Sequence, residues 1–221
     1  MRRYAVYYAP APGAFAEAAA TWLGWDPVAG RPVIQPDMPV DLARLTLDPR
    51  KYGFHGTIKA PFRLTADVQT LSQALHDLAA QLAPVHLPGL HLGLLDHFMA
   101  LTPLGDLAAL QFLAARVVEG LDTLRAPLTA AEIARRRPER LSERQRALLD
   151  RYGYPYVMEQ FQFHLTLSGP LMPAEQAVLL PLARQHFATC LPTPFVIDAL
   201  CLFGEAGDGQ FHILQRCPLG A

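Results

Sequence analysis

The sequence predicts an α+β fold in two pseudo-symmetric lobes around a central cleft, and two observations predict it. Segments of strand-like and helix-like periodicity follow one another as strand, helix, strand, helix and hairpin, and that order occurs twice along the 221 residues. Within each round one stretch recurs almost residue for residue. Phe54-His55-Gly56-Thr57-Ile58-Lys59-Ala60-Pro61-Phe62 aligns without a gap on Phe163-His164-Leu165-Thr166-Leu167-Ser168-Gly169-Pro170-Leu171, with Phe, His, Thr and Pro coinciding. Tyr52 and Phe161 both lie two residues upstream of the shared phenylalanine. A single domain over 1–221 is expected, with lobes dividing at about 1–103 and 104–221.

Each element has a local cause. Arg3 to Ala9 is a β-rich run, and Pro12 opens a helix whose apolar residues Phe15, Ala18, Ala19, Trp22 and Leu23 recur at three and four. Residues 25–50 carry five prolines with little periodicity and read as a long surface loop. Phe54–Phe62 alternates like a strand, and a helix follows from about Asp67 to Leu82. His86–Leu95 and Phe98–Thr102 are expected to pair as strands. The second half opens with an amphipathic helix from about Asp106 to Leu121. Thr129 with Glu132 and Ser142 with Gln145 have the spacing of capping boxes, so two short helices start there, separated by Pro138. Phe161–Ser168 is strand-like and Ala174–Phe187 helical; Phe195–Phe203 and Gln210–Gln215 form a hairpin around Gly207-Asp208-Gly209.

Composition narrows the class. Hydrophobic residues make up 51% and charged residues 18%, which excludes a disordered chain. Nineteen basic and 20 acidic side chains leave a net charge of −1, which implies no strongly charged partner. The three cysteines, Cys190, Cys201 and Cys217, are odd in number and lack Cys-x-x-Cys spacing, so they read as small core residues of a reducing compartment. No run approaches a membrane span and the N-terminus is no signal peptide, so a cytoplasmic location without membrane contact is expected.

The repeat carries the chemistry. On a strand His55, Thr57 and Lys59 share one face, opposite Phe54, Gly56 and Ile58; His164, Thr166 and Ser168 do the same in the second unit. Eight histidines and 11 threonines give about 0.4 His-x-Thr triplets by chance. One such histidine could simply be a hydrogen-bonded residue at a sheet edge; a matched pair with shared flanks points to use. Two histidines suit in-line displacement at phosphorus, one neutral imidazole taking a proton from water while the other, protonated, supplies the leaving oxygen. Thr57 and Thr166 would donate to the non-bridging oxygens, and Lys59 would favour the anionic transition state. The scheme needs no metal and no cofactor, and predicts a rate optimum near neutrality.

The paired strands His55-Gly56-Thr57-Ile58 and His164-Leu165-Thr166-Leu167 resemble those of the two-histidine phosphoesterase superfamily. More narrowly, residues 54–62, 132–141 and 152–157 are similar to a branch often encoded beside phosphonate-utilisation genes. The resemblance implies antiparallel sheets with helices outside lining the cleft, His55 and His164 as acid and base, and Thr57 and Thr166 as phosphate ligands. It implies a phosphodiesterase for a small-molecule cyclic phosphate of a sugar or nucleotide. The other readings are an RNA-end 2′,3′-cyclic phosphodiesterase or ligase, which the net charge disfavours, and a non-catalytic phosphate sensor.

Three further features stay open on sequence. Arg135-Arg136-Arg137 with Arg140, Arg144 and Arg146 form either an anion-binding edge or a solvated face balanced by Glu132, Glu139 and Glu143. Tyr154, flanked by Tyr152 and Tyr156, stacks a substrate base or sugar, or packs the Pro155 turn. His91 and His97 are spaced poorly for a metal site.

Overall fold

A computed structural model describes residues 1–220. In chain order the elements are β1 (Tyr4–Tyr8), α1 (Ala14–Leu23), β2 (Trp25–Asp26), β3 (Arg31–Pro32), α2 (Leu42–Leu45), α3 (Leu47–Arg50), β4 (Gly56–Phe62), α4 (Val68–Ala79), β5 (Val85–Leu87), β6 (Leu90–Leu95) and β7 (Phe98–Pro103). Then follow α5 (Ala108–Gly120), α6 (Ala130–Arg135), α7 (Glu143–Tyr152), β8 (Leu165–Pro170), α8 (Pro173–Phe187), β9 (Phe195–Ile197), β10 (Ala199–Glu205) and β11 (Phe211–Pro218). The fold is mixed α+β, as its sequence predicts.

Seven strands form one antiparallel sheet in the order β11-β10-β1-β4-β8-β7-β6. Its two parts meet at one residue pair, Gly56 opposite Leu165, where β4 crosses β8. Four strands lie on one side of that joint and three on the other. The parts of the sheet are not the halves of the chain: the hairpin β6–β7 joins β8, and the hairpin β10–β11 joins β1. β8 therefore pairs with β7 from the opposite half of the sequence, and β1, the neighbour of β4, pairs with β10 from the opposite half, which the division at 103/104 does not foresee.

The core lies under the helices. Val6 and Tyr8 of β1 face the main apolar cluster, whereas Ala5, Tyr7 and Ala9 face a smaller one with Cys201, Phe203 and Phe211. That is strand alternation at work. Trp22 of α1, fully buried, donates its indole N–H to the Leu167 carbonyl at 2.8 Å and so pins α1 to β8. Both capping boxes form as their spacing predicts, Thr129 with Glu132 and Ser142 with Gln145.

Residues 25–50 differ from the expected loop, since they contain the β2–β3 hairpin, α2 and α3. Side chains organise this segment more than apolar periodicity does. Arg50 donates to the carbonyls of Leu23 and Ala43 and to Gln35 and Thr46, while Gln35 donates to the Trp22 carbonyl. Such contacts join distant positions and leave no periodic trace. The stretch His86–Leu95 is two strands, because Pro88-Gly89 interrupts it and β5 pairs with β9.

Candidate active site

Both motif strands carry the same distortion. Between Thr57 and Phe62, β4 has two residues more than β1 has between Tyr7 and Tyr4; between Thr166 and Pro170, β8 has two more than β7 has between Ala100 and Phe98. Pro61, which has no N–H to give a ladder, sits within the first bulge, and Pro170 closes the second opposite Phe98. The internal repeat is thus a repeat of backbone shape as well as of residues.

The histidines sit just ahead of the bulges and are held alike. His55 Nδ1 is 2.8 Å from the carbonyl of Gly53, and His164 Nδ1 is 3.0 Å from that of Gln162, in each case two residues upstream. A carbonyl only accepts, so Nδ1 carries hydrogen in both rings and Nε2 is left for proton transfer. His55 is the deeper ring. It stacks on Tyr7 at 3.9 Å between centroids, with Tyr52 at 5.8 Å, whereas His164 has Phe98 at 5.5 Å. Burial lowers the His55 pKa from 6.5 to about 4, against the raising effect of the Gly53 carbonyl and with a smaller lowering from nearby His164. Burial lowers His164 as well, opposed by the Gln162 carbonyl.

Two cavities meet here. One, of about 370 Å³, is lined by His55, Thr57, Thr166, Ser168, Tyr7, Tyr52, Tyr154 and Arg136 among others. The other, of about 310 Å³, is lined by His164, Thr57, Phe98, Tyr154 and Tyr156. They share Thr57, Ala60, Phe98 and Tyr154, so the two spaces adjoin: His55, Thr57 and Thr166 border the first, His164 and Thr57 the second. Among the described residues no three His, Cys, Asp or Glu side chains cluster as metal ligands. Among the described residues no helix is long and apolar enough to cross a membrane.

One expected site residue stands elsewhere, and another reaches the cleft with its hydroxyl already bonded. Lys59 is 3% exposed and lines neither cavity; its ammonium donates to the Val118 carbonyl at 3.0 Å and lies 3.4 Å from Asp122. The bulge is the reason. It pairs Thr57 with Tyr7 and Lys59 with Val6, and Tyr7 and Val6 face opposite sides of the sheet. Burial lowers the Lys59 pKa to about 8, partly offset by Asp122. Ser168 touches the first cavity, but its hydroxyl is occupied: it accepts from the Met99 N–H at 2.9 Å and donates to the Gly169 carbonyl at 2.8 Å.

Tyr154 borders both cavities, its ring stacked 4.7 Å from the Arg136 guanidinium, while Tyr152 packs with Val118, Leu148 and Val157. Of the arginine run, Arg136 alone lines the cleft. Of the balancing acids Glu132 pairs with Arg63, and within the basic run Arg144 pairs with Glu159. Tyr7 and Phe98 escaped sequence reasoning, because only the pairing of β1 with β4 and of β7 with β8 brings them beside the histidines.

Comparison with known proteins adds three findings. A protein named ribose 1,5-bisphosphate phosphokinase PhnN from Janthinobacterium sp. (strain Marseille) is 42% identical over 231 residues, covering 99% of this chain and 51% of its own length. Another of that name from Laribacter hongkongensis (strain HLHK9) is 34% identical over 228 residues, covering 97% and 51%. The chain spans about half the length of these curated relatives. Among solved structures, E. coli LigT complexed with NADP+ shares 16% identity with a TM-score of 0.44, covering 100% of this chain and 98% of that one. TT0787 of Thermus thermophilus shares 16% with a TM-score of 0.45, covering 98% and 97%. Residues 57–212 match the family described as proteins of unknown function, DUF1045, and the chain belongs to that family.

Proposed function

We propose that this protein is a phosphoesterase that opens a small-molecule cyclic phosphodiester by two-histidine acid–base catalysis. The observation that carries the reading is the pair of alike-anchored histidines on two adjoining cavities that share Thr57, with Thr166 on the His55 side. His55, kept neutral by burial, takes a proton from water at Nε2 as the water oxygen bonds to phosphorus. The bond from phosphorus to the leaving oxygen breaks in line, and that oxygen receives the proton of His164. Thr57 and Thr166 donate to the non-bridging oxygens as charge builds there. A monoester with a neighbouring hydroxyl results, and exchange of one proton between the histidines and solvent restores the start.

The relatives' name suggests the first substrate to try. A kinase for ribose 1,5-bisphosphate needs that compound supplied, and opening a 1,2-cyclic phosphate of ribose 5-phosphate at its 2-oxygen yields it. The sequence resemblance supports a place beside phosphonate breakdown.

The test is turnover of cyclic phosphates, that sugar ester and nucleoside 2′,3′-cyclic phosphates included. His55→Ala and His164→Ala should each lower kcat by about 10²–10⁴-fold. The two lowered pKa values also move the expected optimum of kcat/KM from neutrality to mildly acidic pH, between about 4, where His55 protonates, and 6.5. Near wild-type turnover by either alanine variant, or a kcat/KM still rising above pH 7, would refute the assignment.

A further inference from the structure

Resting on this phosphoesterase reading, we infer that Arg136 anchors a second anionic group of the substrate, a phosphate other than the one attacked, and so selects a phosphorylated ester. Two arginines line the cavity that holds His55, Thr57 and Thr166: Arg3 and Arg136. Arg3 is already neutralised, its guanidinium bidentate on Glu205 at 2.7 and 2.9 Å. Arg136 has no carboxylate at ion-pair distance among the described residues. Glu139, three residues on, is exposed and makes no ion pair with it, and Glu132 and Glu159 are bound by Arg63 and Arg144.

Arg136 is also held in place without being neutralised. It is half-buried where α6 ends, with its guanidinium 4.7 Å above the Tyr154 ring. Stacking fixes the plane of the group while leaving its edge N–H donors for a ligand. Tyr154 borders the spaces of both histidines, so an anion on Arg136 and a phosphate between Thr57 and Thr166 occupy one cleft. A planar fork of N–H donors matches phosphate oxygens, and partial exclusion from water strengthens the pair. In a chain of net charge −1, one arginine left unpaired inside a cleft is a choice of ligand more than a general field.

Binding tests this apart from turnover. Calorimetry would compare ribulose 1,5-bisphosphate with ribulose 5-phosphate, neither of which contains a cyclic ester. Wild type should favour the bisphosphate about 10–100-fold, Arg136→Gln should reduce that preference to roughly threefold or less, and Arg136→Lys should recover part of it. Arg137→Gln, on an exposed neighbour, should leave it unchanged, and thermal melting of each variant shows that it is folded. A wild type that does not distinguish the two sugars, or an Arg136→Gln variant that keeps the full preference, would overturn the inference. Preference lost with Arg136 in a protein that turns over no cyclic phosphate would leave the subsite standing and sink the hydrolytic reading; turnover without any preference would do the reverse.

Discussion

Gly56 is the residue at which the two parts of the sheet touch, and replacing it by alanine should damage both stability and catalysis. A methyl group on its Cα would fall on the edge of the Phe163 ring, well inside van der Waals contact, so the ring would have to retreat by about 1 Å. It has little room: Phe163 is 4% exposed and packs against Tyr8, Phe161 and Phe195, with centroids 6.2, 6.4 and 6.2 Å away. Overpacking of this kind costs about 1–3 kcal/mol, offset by under 1 kcal/mol because alanine restricts the unfolded chain. A net loss of roughly 1–2 kcal/mol lowers the melting temperature of a chain this size by about 2–8 °C. The joint also sets the spacing of His55 and His164, and a displacement of about 1 Å between reacting groups can cost roughly 100-fold in rate. Circular dichroism melting and kcat should therefore both fall in Gly56→Ala. In a Phe163→Leu background, where the ring edge is gone, the added methyl should cost nothing further. A Gly56→Ala protein that melts with wild type and turns over at the wild-type rate would show that the joint is not tightly packed.

Two other expectations follow from buried charge. Because His55 titrates near 4 when folded and near 6.5 when unfolded, the unfolded chain binds the extra proton between those values. Its contribution is complete above pH 6.5 and disappears as pH falls towards 4, roughly 2–3 kcal/mol in all; urea midpoints for His55→Gln should decline less steeply over that window, and an unchanged slope would contradict the linkage. Lys59→Met should reduce stability by roughly 1–3 kcal/mol through loss of the Val118 and Asp122 contacts, with KM altered by less than about threefold. A KM raised more than about tenfold with the melting temperature kept would return Lys59 to the substrate.

Much of this protein was legible from short-range physics. Capping at Thr129 and Ser142 depends on contacts three residues apart, helix faces on recurrence at three and four, and the duplicated His-x-Thr strands on a match that needs no partner strand to be seen. Alternation also groups His55 with Thr57, which line one cavity, and His164 with Thr166, which line adjoining ones. It failed at Lys59, because alternation holds only while the ladder is regular, and the bulge before Pro61 comes from pairing β4 with β1. Tertiary structure alone set Tyr7 under His55, exchanged hairpins between the two parts of the sheet, and chose Arg136 from a run of three identical neighbours. Each of these depends on which distant segment lies alongside, and pairing across 50 to 200 residues is decided by the packing of the whole sheet and not by any local pattern.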